Sequence, residues 1–160
     1  MTAKTIWPIV ALALLCTDMA FAEAQATKPV ITLGSAKTAI SSTLQRSPQE
    51  RAGSVITVVD DGGQLIYLER SDGAASGMVD ASIKKAKSAA LYGFSTKALE
   101  QQIVQGHPGF QNLPDILPIE GGVPVVINGQ LAGAVGVAGG ASVDDGAFAE
   151  KIAAALKTGN

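Results

Sequence analysis

The chain is poor in the residues that many catalytic and binding sites rely on. It has one cysteine, one histidine and 4% aromatic residues in 160 positions. A single histidine, His107, excludes a histidine-cluster metal site and the H-E-x-x-H pattern of zinc enzymes. A Ser-His-Asp triad would have only His107 to draw on, and no G-x-S-x-G elbow accompanies it. The G-x-x-x-x-G-K-[ST] phosphate loop is also missing. The scarcity of aromatics leaves no base-stacking platform. The 14 acidic and 12 basic residues give a formal charge of −2, so no electrostatic footprint for DNA or RNA exists. The chain is nonetheless 47% hydrophobic and only 16% charged, which excludes a disordered protein and is enough for one folded domain.

Most of what is unusual lies at the N-terminus. Lys4 provides a positive start, residues 6–15 are apolar apart from Pro8, and Ala20-Phe21-Ala22 is an A-x-A cleavage pattern. Residues 1–22 therefore read as a cleaved signal peptide, with Glu23 as the mature start and a periplasmic or secreted destination. The alternative is an uncleaved anchor. The apolar run, however, falls short of the ~20 residues a spanning helix needs, so no stable membrane anchor is expected. Cys16 lies within the signal and follows Leu15, where lipid attachment calls for a small residue. The mature chain then has no thiol, which excludes disulfides, thiolate metal sites and cysteine nucleophiles.

Residues 23–30 are small and polar and read as a mobile leader, with a single domain over 31–160. Thr32 is a candidate N-cap for a helix with Leu33, Ala36, Ile40 and Leu44 on its inner face, ending near Arg46 ahead of Pro48. Residues 54–59 and 65–70 read as a β-hairpin around Asp60-Asp61-Gly62-Gly63. Residues 76–92 read as a helix with Val79, Ile83, Ala86 and Ala90 inward, stopped by Gly93. A short helix capped by Ser95 or Thr96 follows. Residues 106–118, with three prolines and two glycines, read as a loop that leads into a short edge strand at Ile119. A second hairpin turns at Asn128-Gly129, and a last helix capped by Ser142 buries Phe148, Ile152, Ala155 and Leu156. This order of elements is α+β.

Several polar residues are candidates for chemistry. His107, between Gly106 and Pro108, is either an exposed loop histidine or a ligand for a metal or haem iron. Arg70 and Asp72 either hold a carboxylate or propionate or form a turn salt bridge. Lys84, Lys85 and Lys87 either face an anionic ligand or form a solvated helix face. Glu120 is a general base or a turn acceptor, and Asp144 and Asp145 are helix N-terminal charges. Gly133, Gly136 and Gly139 only loosely follow a dinucleotide fingerprint, in the second arm of a hairpin rather than after a first strand. Glycines within a strand imply that something approaches closely there.

Four segments in order resemble one family. Residues 58–74 (VVDDGGQLIYLERSDGA) resemble the first hairpin of the GlcG/HbpS family. Residues 83–90 (IKKAKSAA) resemble its K-A-x-T-A-A helix, with Ser88 in place of threonine. Residues 118–124 (PIEGGVP) resemble its I-x-G-G-x-P segment, and residues 133–139 (GAVGVAG) followed by Asp144 resemble its glycine-rich ending, with Ala138 in place of serine. The resemblance implies a profilin-like five-stranded antiparallel sheet flanked by helices. It also implies a homo-oligomer and, in some members, haem binding, with a role in haem sensing, storage or degradation. His107, the only imidazole, would then be the axial ligand and the metal donor, with Lys85 or Arg70 facing the propionates and Met78 or Lys85 as fallback donors. The alternative is a periplasmic enzyme or accessory protein acting on a small organic acid in carbon catabolism, with Arg70 holding the carboxylate and Glu120 or Asp60 moving a proton.

Overall fold

The computed structural model describes residues 27–50 and 52–158. The expected signal peptide with Cys16 and the expected start at Glu23 lie outside the described residues. Helix α1 spans Leu33–Arg46, and strands β1 (Val55–Asp60) and β2 (Leu65–Arg70) form the first hairpin. Helices α2 (Gly77–Tyr92) and α3 (Thr96–Val104) follow, then strands β3 (Gly122–Ile127) and β4 (Gln130–Ala138), and helix α4 (Ser142–Thr158). The ends follow local chemistry. The Ser35 amide donates to the Thr32 hydroxyl at 3.1 Å while the Thr32 amide donates to Ser35 Oγ at 3.0 Å, a reciprocal cap. Gly93 stops α2 in the left-handed region at φ 68°.

The sheet has the order β2-β1-β4-β3 and is antiparallel throughout. Among the described residues it has four strands, where the family resemblance implied five. The segment read as an edge strand at Ile119 makes no ladder, and Ile119 stays 43% exposed. Gly121, at φ 135°, redirects the chain there, and pairing begins where its carbonyl accepts the Val137 amide at 2.8 Å.

Strand alternation divides the interior into two faces. Ile56, Val58, Val125, Ile127, Val135 and Val137 pack with α1 and α4, including Ile40, Phe148, Ile152 and Leu156. Fully burying one such side chain contributes about 1.5–3 kcal/mol, so this face supplies most of the stabilisation. The other face carries Val59 and Ala134 against Ala86, Ala89 and Ala90 of α2. Its neighbours are small because α2 lies almost on the strands. A Cβ at Gly136 would stand 2.1 Å from the Ser82 carbonyl oxygen.

That closeness keeps Ala86 and Ala90 on the inward face expected for α2 and corrects the rest of it. Val79 and Ile83 are only half-buried, whereas Ser82, Lys85, Ser88 and Ala89 are buried. Leu33, expected inside α1, is 49% exposed, and Ala39 takes its place. Helix α4 begins at Ser142 itself.

The second hairpin turns through Asn128 at φ 51° and Gly129 at φ 76°. Both central residues of a type I′ turn need positive φ, which a β-branched side chain resists. Gly129→Val should cost about 1–3 kcal/mol through local strain, and an unchanged denaturation midpoint would count against this turn.

Candidate functional site

Two glycine-dependent close approaches build a buried cluster of charged side chains. Lys85 leaves the inner side of α2, and its Nζ donates to the Val137 carbonyl at 3.0 Å and to Asp145 Oδ2 at 3.0 Å. The two side chains are 5% and 7% exposed. The other carboxylate oxygen of Asp145 accepts the Gly140 amide at 3.0 Å. Gly121 and Gly122 let the chain pass over this lysine, since a Cβ on Gly121 would lie 2.7 Å from Lys85 Nζ. A Cβ on Gly146 would likewise collide with Glu120, whose carboxylate lies against the first turns of α4.

Glu120 is 8% exposed. It accepts Lys97 Nζ at 2.9 Å, and its amide donates to Glu100 Oε2 at 3.0 Å. The hydrogen bond to Glu120, together with that residue's charge, raises the Lys97 ammonium above its ordinary value. A raised lysine keeps its share of stability at neutral pH and gives it up only in alkaline solution. A cavity of about 370 Å³ adjoins the cluster, with Ser54, Val137, Asp144, Asp145 and Phe148 in its wall.

Lys85 is therefore inside the protein rather than on a solvated face, and it ties α2 to β4 and α4. Asp145, read as a helix-terminal charge, is its partner. The sequence reading missed Lys97, although glutamate beside a Gly-Gly pair required a cation once buried.

His107 stands elsewhere. Helix α3 closes as the Gly106 amide bonds Ile103 O at 3.1 Å and the His107 amide bonds Gln102 O at 3.0 Å. A 3-10 turn, Pro108–Asn112, follows. The imidazole is exposed and makes no capping hydrogen bond. It shares an open cavity of about 380 Å³ with Gly109, Phe110 and Leu113. Val104, three residues earlier, is 81% exposed.

Neither Lys85 nor Arg70 lines this cavity. Arg70 donates to the Ala74 carbonyl at 2.6 Å, closing the turn after β2. Asp60 Oδ1 accepts the Gln64 amide at 2.8 Å and shapes the first hairpin. Met78 is half-buried in the first turn of α2. The cation that the His107 loop itself holds is Lys87, 3.1 Å from Asp115. The His107 imidazole thus lies beside an aromatic ring and a leucine, and Lys87, like Lys85 and Arg70, does not line that cavity. Among the described residues no three His, Cys, Asp or Glu side chains converge in a metal-binding group. No helix of the described residues is long and apolar enough to cross a membrane.

Two hairpins in a four-stranded antiparallel sheet, with α2 on one face and α1 and α4 on the other, define an α+β domain shared with several solved proteins. The Klebsiella pneumoniae protein ORFY has a TM-score of 0.76 at 29% identity, over 86% of this chain and 97% of that one. A double mutant of Streptomyces reticuli HbpS has a TM-score of 0.73 at 25% identity, over 96% and 99%. The chain belongs to the HbpS-like family, described as "Haem degrading protein HbpS-like", whose model matches residues 31–154. It is 44% identical to Protein GlcG of Escherichia coli strain K12 over 94 residues, 58% of this chain and 70% of that protein. A Citrobacter freundii protein of 15.0 kDa, encoded between dhaT and dhaS, is 33% identical over 124 residues, 75% of this chain and 87% of its own length. At the level of fold alone, the PduOC:heme complex is similar, with a TM-score of 0.68 at 21% identity over 79% of this chain and 94% of that one.

Proposed function

We propose that this protein is exported, loses residues 1–22, and binds haem outside the cytoplasm with His107 as the axial donor. The observation that carries the reading is the uncommitted His107 imidazole in a cavity walled by Phe110 and Leu113. The family description, haem degradation, supports the ligand class. So does the PduOC protein, of the same fold, crystallised with haem. Bound haem supplies an iron that accepts axial ligands. The chain's own residues do the rest. His107 would offer a ring-nitrogen lone pair to that iron. Phe110 and Leu113 would keep water from one face of the ligand.

The cavity is open and covers only one side of a flat ligand. A second copy of the chain would cover the other, and haem would then favour the homo-oligomer by mass action. The small-acid alternative rests on Glu120, a buried carboxylate with Lys97 at 2.9 Å.

The test is a haemin titration of wild type and His107→Ala, both purified from a periplasmic fraction and weighed by mass spectrometry. The expected result is Glu23 as first residue, a shifted Soret band in wild type and its loss in the variant, with unchanged melting of the apoprotein. Identical spectra would remove His107 as ligand. No band in either protein, with melting raised by small carboxylic acids, would favour the alternative.

A further inference from the structure

We propose that Ser88, on α2, is a positioning residue that sets the shape of the His107 cavity. Its link to haem rests on the reading above, but its effect on the cavity does not. Residues 107–117 leave α3 and return toward the sheet, and they are fastened at both ends. The inner fastening is the pair of amide bonds at the end of α3, from Gly106 to Ile103 O and from His107 to Gln102 O. The outer fastening comes from a stretch of α2. Tyr92 Oη donates to the Pro114 carbonyl at 2.6 Å, Lys87 pairs with the Asp115 carboxylate at 3.1 Å, and Ser88 Oγ contacts both Asp115 O at 3.1 Å and Leu117 N at 2.7 Å.

Between these ends the chain makes the 3-10 turn Pro108–Asn112, flanked by bonds from Phe110 N to His107 O and from Leu113 N to Phe110 O, both 3.3 Å long. Asp115 sits at φ 56°, in the left-handed region that side chains other than glycine adopt only when the surroundings insist. The ties around it are Tyr92 on the preceding carbonyl, Lys87 on its own carboxylate, and Ser88, which is fully buried at 0% exposure. Its hydroxyl has one proton and two carbonyls to choose from, Lys84 O at 2.7 Å and Asp115 O at 3.1 Å. The nearer is its own helix, so the firm tie to the loop is the Leu117 amide, which the hydroxyl accepts. Alanine at this position would leave that amide with no acceptor in a place water reaches poorly. Threonine would keep the same oxygen. The distance from Leu117 back to His107 then depends on the Ser88 oxygen, and so does the spacing of Phe110 and Leu113 around the imidazole.

His107 is the only histidine, so an untagged protein gives one set of imidazole ring resonances, a direct report on the cavity without any ligand. The experiment compares wild type, Ser88→Ala, Ser88→Thr and Tyr92→Phe by proton NMR of that ring, by amide exchange over residues 107–117, and by haemin titration. Ser88→Ala is expected to move or broaden the His107 signals, speed exchange at Leu117 about tenfold, and weaken haemin binding about tenfold. Ser88→Thr restores all three. Tyr92→Phe, which removes a neighbouring tie and leaves no buried void, shifts the signals less in the same direction and covers the case in which Ser88→Ala does not fold. Unmoved ring signals in the folded Ser88→Ala and Tyr92→Phe variants would overturn the proposal. So would faster exchange at Leu117 with an unchanged His107 ring. If wild type binds no haemin, the haem reading fails, and the ring signals and exchange still support or overturn the role of Ser88.

Discussion

Lys85→Met is expected to lower stability by about 3–5 kcal/mol, because it leaves the buried Asp145 carboxylate without its counter-charge. The loss should appear as a lower denaturant midpoint with little change in slope. The partner substitution, Asp145→Leu, should be comparably harmful, since it strands an ammonium that is 5% exposed and leaves the Gly140 amide without an acceptor. The informative variant is the double one. Lys85→Met with Asp145→Leu removes both charges, so it should regain a substantial part of the loss. The Gly140 amide still costs about 1–3 kcal/mol, which keeps the double variant below wild type. Strictly additive losses in the double-mutant cycle would mean that the two side chains do not interact, and the pairing of α2 with α4 would need another explanation.

Gly136→Ala, the addition of one methyl group, should destabilise by about 3 kcal/mol or more, beyond the usual cost of an overpacked core. The methyl carbon would meet the Ser82 carbonyl oxygen at 2.1 Å and the Ala86 amide nitrogen at 2.6 Å. Both are backbone atoms of a helix, so no rotamer change relieves the collision. The whole of α2 would have to lift from β4, and Thr57 would lose Ser82, now 2.7 Å away. Gly77→Ala is the control, because a Cβ there meets nothing within 4 Å and α2 begins at that residue. It should be neutral or slightly stabilising. Equal midpoints for Gly136→Ala and wild type would show that α2 does not lie on β4 as described.

These two effects mark where reading residues in order succeeds and where it stops. The hairpins were legible because Asp-Asp-Gly-Gly and Asn-Gly clusters flank β-branched runs, and turn chemistry is local. The helix ends were legible for the same reason. Thr32, Gly93 and Ser95 do their work within one turn of chain. The inward side of α2 was legible only at Ala86 and Ala90. Periodicity selects the largest apolar residues, Val79 and Ile83, as the buried face. The glycines of β4 and of the β3 entry decide otherwise, because they draw the helix so close that only serine and alanine fit, and a lysine can enter only beside its carboxylate.

The His107 loop divides in the same way. That the chain has a single imidazole, set among glycine and proline with Phe110 nearby, is a property of the residues alone. That Lys85 and Arg70 stand away from that cavity, and that Lys87 and Ser88 hold the loop instead, depends on α2 crossing behind a segment some 27 to 29 positions later in the chain. The amino-acid order by itself determined the α+β class and the family, through the succession of elements and motifs along the chain, and the local turns, through neighbours a few residues apart. Only the tertiary structure decided which lysine is buried, which carboxylate it meets and that serines rather than Val79 and Ile83 join Ala86 and Ala90 against the sheet. Those outcomes turn on how closely two backbones approach, and that distance is set by glycines far from the side chains whose roles they decide.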